Sequence, residues 1–170
     1  MIKEFEFFHG AVFARIIHGK NTLINIENYP SPDNASYILN NKIGIYIKYS
    51  SKRMSPWRFS FLKEHQNKIL EMKNRLEEVY IVFVCNDDGI ACLNYKELKE
   101  VLDSQYEPVE WVSIARGPRE KYEIKGHDGK LHFKIGNSDF PQKIFDEFKR
   151  KSTLSSFVTK FISKNKIISL

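Results

Sequence analysis

The residues most suited to handling negative charge lie in one stretch, "IGIYIKYSSKRMSPWRFSF", Ile43 to Phe61. A lysine, Lys48, sits inside a run of alternating aliphatic and aromatic residues, and Lys52, Arg53, Trp57 and Arg58 follow at once. Such a lysine either packs its stem on Tyr46 and lifts its ammonium to water, or is held over a site where anionic charge must be met. Cations interleaved with aromatics can hold phosphates and stack bases or sugars. Trp57 and Phe59 also alternate as a strand would, which offers a core role for both with Arg58 facing out. A second basic cluster, Arg116, Arg119 and Lys121, surrounds the turn dipeptide Gly117-Pro118 in "SIARGPREKY". The two clusters make one phosphate-binding face if the fold joins them.

Other chemistries find little support. His9 and His18 fall on the first helical segment, His65 on an apolar helical stripe, and His127 and His132 near a late turn. No pair has the i,i+4 spacing of helical metal ligands, and no serine or cysteine stands in a nucleophile elbow. "NDDG" has too few spaced oxygens for a calcium loop. Two cysteines, Cys85 and Cys92, make no structural zinc site, and buried free thiols in a reducing compartment are expected. A two-residue Asp88-Gly89 hairpin loop would set them opposite each other.

The elements that must position these residues follow from periodicity. Phe5, Phe8, Val12 and Ile16 recur at helical spacing before Gly19, predicting a helix over 3–18. "TLINIENY", "ASYILNN" and "KIGIYIKYS" are β-rich runs separated by turn residues, an antiparallel meander that "SPWRFSF" extends as strand or coil. Leu62, His65, Ile69, Met72 and Leu76 mark an amphipathic helix across Phe61 to Glu78, backed by the pairs Glu64/Lys68 and Glu71/Arg75. It leads into "VYIVFVC", whose unbroken apolar run fits a strand covered on both faces. Asn94 and Glu97 form a capping box for a short helix. Strands are expected at "VEWVSIA", "KYEIKG" and "KLHFKIG", the last two joined through "GHDG", and a helix at "PQKIFDEFKR" opens with proline.

The order helix, three-strand meander, helix, buried strand, over about residues 3 to 94, resembles the common core of the PD-(D/E)XK nuclease superfamily. In that core an acid near the second strand and an acid-x-lysine triplet on the third assemble a metal site. The resemblance makes "IYIKYS" the motif strand and Lys48 the lysine that activates water or stabilises charge on the phosphate. It implies Mg²⁺, with Asp33 and Glu27 as ligand candidates and Glu64, Glu4 or Glu6 as acids that could migrate into the site. The chain departs from the pattern at Tyr46, which stands where the triplet has its acid, and at Ser36, where some members carry aspartate.

Composition bounds the rest. The chain has 170 residues, 42% hydrophobic and 14% aromatic, which suits one folded domain over 1–150 and a basic amphipathic helix or tail over 151–170. The fold class expected is α+β, a central mixed sheet in a nuclease-like core with extra C-terminal strands and a terminal helix. No apolar run is long enough to span a bilayer and the N-terminus does not read as a signal peptide, so a cytoplasmic location is expected. The formal charge of +6 points to an anionic partner, yet Lys149, Arg150, Lys151, Lys160, Lys164 and Lys166 alone supply that excess. Leu154, Phe157, Val158, Phe161 and Ile162 form a stripe on this tail, suited to docking on its own domain or pairing with a second subunit before membrane binding. The function expected is nucleic-acid binding, DNA first, as an endonuclease or a catalytically degenerate relative. The alternative is a non-catalytic interaction module that forms a homodimer or binds an acidic protein.

Overall fold

The computed structural model describes residues 1–19 and 23–166. Its architecture is α+β. The elements run α1 (Glu4–His18), β1 (Ile26–Asn28), β2 (Ser36–Leu39), β3 (Ile43–Ser50), β4 (Trp57–Leu62), α2 (Lys63–Arg75), β5 (Glu78–Cys85), β6 (Gly89–Asn94), α3 (Tyr95–Lys99), β7 (Val109–Ala115), β8 (Glu123–Gly126) and α4 (Asp139–Lys166). Five strands form a mixed sheet in the order β1-β2-β3-β5-β6, with β3 and β5 parallel and the other pairs antiparallel. The strand β4 leaves that meander and pairs with β7, and β7 with β8, in a second antiparallel sheet.

The period-2 alternation of β5 explains its place. Val79, Ile81, Phe83 and Cys85 enter a core with Trp57, Phe59 and Phe61 of the second sheet and Ile69 and Met72 of α2. Tyr80, Val82 and Val84 enter another core with Val12 and Ile16 of α1 and Phe140, Ile144 and Phe145 of α4. The large sheet is thus sandwiched between α1 and α4 on one face and the small sheet with α2 on the other. At Gly44 a Cβ would stand 2.8 Å from Met72 and 2.9 Å from Leu76, so glycine lets α2 close on β3. His9 points into the α1 side, where its Nδ1 meets the Tyr37 hydroxyl at 2.9 Å and burial lowers its pKa to about 4.

Three expectations are corrected. The β5–β6 loop holds three residues, closing on Cys85 opposite Gly89, and Cys92 lies opposite Val82. That shift of three positions sends the two thiols into opposite cores, where both are free and burial raises Cys92 to about 12. Residues 131–136 make no strand; this region joins the preceding segment through the isolated bridges Tyr122↔Ile135 and Lys125↔Lys130 and the Leu131 N–H bonded to the Ile124 carbonyl at 3.1 Å, with Leu131 and Ile135 buried in the core. Nor does the apolar tail dock on its own domain. It continues α4, which bends at Phe140 ahead of Pro141, and its stripe is 56% to 69% exposed. Among the described residues no helix is long and apolar enough to cross a membrane.

Candidate phosphate-binding pocket

Lys48 projects from β3 on the face of Tyr46, toward α2. Its Nζ donates to the Ser60 carbonyl at 2.6 Å and lies 3.0 Å from His65 Nδ1, with the Phe61 ring centre 4.8 Å away. His65 Nδ1 also accepts from the Leu62 backbone N–H at 3.1 Å, so the imidazole proton belongs on Nε2. Burial, with no carboxylate to offset it, lowers the Lys48 pKa to about 8. Burial and then the Lys48 charge push His65 down as well. Tyr46 is 2% exposed, and burial followed by the nearby Asp33 charge drives its phenol far above the usual range. The position two before Lys48 is therefore a neutral phenol, which offers no anionic ligand.

None of the candidate acids pairs with Lys48, although the Asp33 charge reaches both Tyr46 and His65 and the Glu64 charge reaches His65. Asp33 is occupied by its own loop: its carboxylate accepts from the Ala35 N–H at 3.0 Å, the Ser36 hydroxyl at 2.9 Å and the Ser31 hydroxyl at 3.0 Å. That makes it a turn-forming aspartate that fixes the start of β2. Glu27 sits exposed on the edge strand β1 and accepts from Asn25 Nδ2 at 2.5 Å. Glu64 is exposed in the first turn of α2. Among the described residues Lys48 forms no ion pair with any of them.

One set of three carboxylates does converge, away from this strand. Asp103, Glu110 and Asp128 place oxygens within 4.8 Å of one another. Glu110 is fully buried on β7, accepting from the Glu107 N–H at 3.0 Å and from Gln66 Nε2, while the Gln66 Oε1 has no partner. The Lys99 ammonium, donating to the Asp103 carbonyl at 2.8 Å, supplies countercharge to all three. Neither Gln66 nor Glu110 stood out in the sequence; the only clue was that Gln66 sits three residues before Ile69 and six before Met72, on the buried face of α2.

The two arginine-bearing turns do come together. The β3–β4 turn and the β7–β8 turn face each other across a pocket of about 260 Å³ lined by Arg53, Ser55, Trp57, Asp88, Arg116 and Arg119. The Ser55 hydroxyl accepts from the Arg116 N–H at 3.1 Å and stitches the turns. The Arg116 guanidinium is committed: Nε donates to Asp88 Oδ2 at 2.7 Å, Nη2 to the Asp88 carbonyl at 3.2 Å and Nη1 to the Glu120 carbonyl at 3.4 Å. Tyr122 donates to the same Asp88 oxygen at 2.7 Å, and Arg116 Cζ lies 4.8 Å from the Tyr122 ring centre. Arg53 and Arg119 differ. Among the described residues neither makes a hydrogen bond or ion pair, and Arg119 is held at φ 62° in the turn. Three guanidiniums against one carboxylate leave the pocket rim positive.

The other basic residues take different places. Trp57 is 2% exposed and donates Nε1–H to the Lys52 carbonyl at 2.8 Å, so it walls the pocket from the core and presents no face for base stacking. Lys52 Nζ donates to the Pro56 carbonyl at 2.8 Å, bracing the same turn. Arg58 points from the opposite face of β4 and stacks on Trp111 at 4.4 Å. Asp88 and Tyr122, which hold Arg116, escaped the sequence reading because their contact joins segments 34 residues apart. No family model, curated protein or solved structure matches the chain.

Proposed function

We propose that this chain is a cytoplasmic nucleic-acid-binding protein, DNA first, that grips backbone phosphates at the Arg53–Arg116–Arg119 pocket and does not hydrolyse them. The observation that carries this reading is the meeting of two arginine turns from different sheets, with Arg53 and Arg119 unpaired and Arg116 already oriented by Asp88. Free guanidiniums beside a pre-set third are suited to phosphate oxygens, which they bind through paired N–H groups. Free buried thiols agree with a reducing compartment. On this reading the PD-(D/E)XK resemblance is that of a degenerate member: Tyr46 replaces the motif acid, Asp33 is spent on its turn, and Mg²⁺ has no role.

The test is duplex DNA binding measured across a salt series, with and without Mg²⁺. Wild-type affinity should fall steeply with salt. Arg53→Ala/Arg119→Ala should flatten the log–log slope by about 2, near 0.9 per lost phosphate contact. A wild-type protein that binds neither DNA nor RNA at low salt removes the reading. Metal-dependent cleavage abolished by Lys48→Ala would instead establish hydrolysis.

A further inference from the structure

The distal half of α4 carries five large apolar residues, Leu154, Phe157, Val158, Phe161 and Ile162, exposed by 56%, 68%, 57%, 69% and 56%. This is not the face by which the helix joins the body. At 3.6 residues per turn, the stripe and the body-packing residues Ile144, Phe145 and Phe148 centre about 115° apart. Because α4 runs unbroken from Pro141 to Lys166, it holds that stripe outward. Patches of this kind on a basic helix need an occupant.

We propose that the occupant is a second copy of the chain, its α4 lying antiparallel across a two-fold axis near Val158. Area supports it: roughly 100 Å² from each of five side chains gives about 500 Å² per copy and about 1,000 Å² for the pair, where specific association begins. Charge also supports it. Lys160 lies about 130° from the centre of the stripe, on the far side of the helix. The two cations that flank the stripe at its base are matched within their own chain, Arg150 by Glu147 at 2.8 Å and Lys151 by Glu77 at 3.9 Å. The distal end of the helix carries Lys160, Lys164 and Lys166 and no acid, whereas the base has Glu77 and Glu147 beside it. Antiparallel packing keeps the two lysine-bearing ends apart and lays each along the base of the other copy, where the cations already have their own acids, whereas parallel packing would set the two lysine-bearing ends side by side. The two-fold axis makes Leu154 of one copy face Ile162 of the other.

Sedimentation equilibrium of the full chain from about 1 to 100 µM tests this. The expected result is a monomer–dimer equilibrium that Phe157→Ser/Phe161→Ser weakens at least 100-fold while circular dichroism stays unchanged, since neither side chain touches the body. Leu154→Cys/Ile162→Cys should oxidise to a covalent dimer, and Leu154→Cys alone should not; the native thiols are buried and silent. Arg53→Ala/Arg119→Ala should dimerise normally, which separates this proposal from the DNA reading. It is overturned by a monomer at every concentration, by a dimer that survives the serine changes, by efficient cross-linking of Leu154→Cys alone, or by a monomer that seats the stripe on anionic vesicles or an acidic peptide.

Discussion

Replacing Lys48 by methionine decides between the two roles open to that lysine. In the native chain the ammonium is buried against Ser60, His65 and Phe61 without a carboxylate, and its pKa falls from 10.5 to about 8. Each unit is worth about 1.4 kcal/mol, so the charged form costs the fold at most about 3 kcal/mol. The sign follows from linkage. Below pH 8 both states hold the proton and the full cost is present; between 8 and 10.5 the unfolded chain binds more protons, and stability rises with pH. Methionine keeps the apolar stem and removes the charge, at a loss of about 1 kcal/mol for the hydrogen bond to Ser60. Lys48→Met should therefore be more stable than wild type by about 2 kcal/mol at pH 7, or about 4–8 °C in melting temperature. Urea titrations at pH 7, 8, 9 and 10 should show that advantage shrinking to about zero at pH 10. Cys85, Cys92 and the buried tyrosines titrate in both proteins and cancel in the difference. A variant less stable than wild type at pH 7, or a difference that is flat across this range, would refute the argument and place an unseen anion beside Lys48, as an active site requires.

Two further outcomes follow from the packing. His9 is lowered to about 4 by burial, so its contribution is present above pH 6.5 and lost as pH falls toward 4; urea titrations at pH 7 and 4.5 should show His9→Phe losing about 2 kcal/mol less than wild type over that interval. At Gly126 an added Cβ would lie 2.1 Å from the Val101 carbonyl oxygen, whereas at Gly10 in α1 it would meet nothing within 4 Å. Gly126→Ala should cost about 3 kcal/mol or more in denaturant titrations, and Gly10→Ala should add up to about 1 kcal/mol through helix propensity.

Local pattern carried the sequence reading as far as local physics reaches. Helical spacing marked α1 and α2, the unbroken run at 79–85 marked the strand buried on both faces, and the Asn94/Glu97 box opens α3 with hydrogen bonds of 2.8 and 2.9 Å. What failed was pairing at a distance or in detail. The alternation of "WRFSFL" identifies a strand, but nothing in it reveals that Phe59 will face Val112, 53 residues on, in another sheet. The cysteine register turned on loop length: Asn86 accepts φ 49°, which allows a three-residue loop where Asp88-Gly89 suggested two. "KLHFKIG" alternates like a strand, yet only Tyr122 and Lys125 of the preceding segment bridge to this region, at Ile135 and Lys130. For the candidate site, both arginine clusters and their possible union were readable. The fate of Trp57 was not, because an indole that stacks on bases and one that fills a core look identical until the neighbouring sheet is known.

The pocket gathers turns from three strand junctions: Arg53 follows β3, Asp88 closes β5 onto β6, and Arg116 follows β7. Those strands belong to both sheets, and the aromatic layer of Trp57, Phe59, Phe61 and Phe83 lies between them. An anion seated among the three turns is therefore a clamp across the whole sandwich. Its binding energy should appear as resistance to global unfolding, growing with the logarithm of ligand concentration. Conversely, if the pocket holds phosphate as proposed, a void opened in that aromatic layer would weaken binding without touching a single arginine.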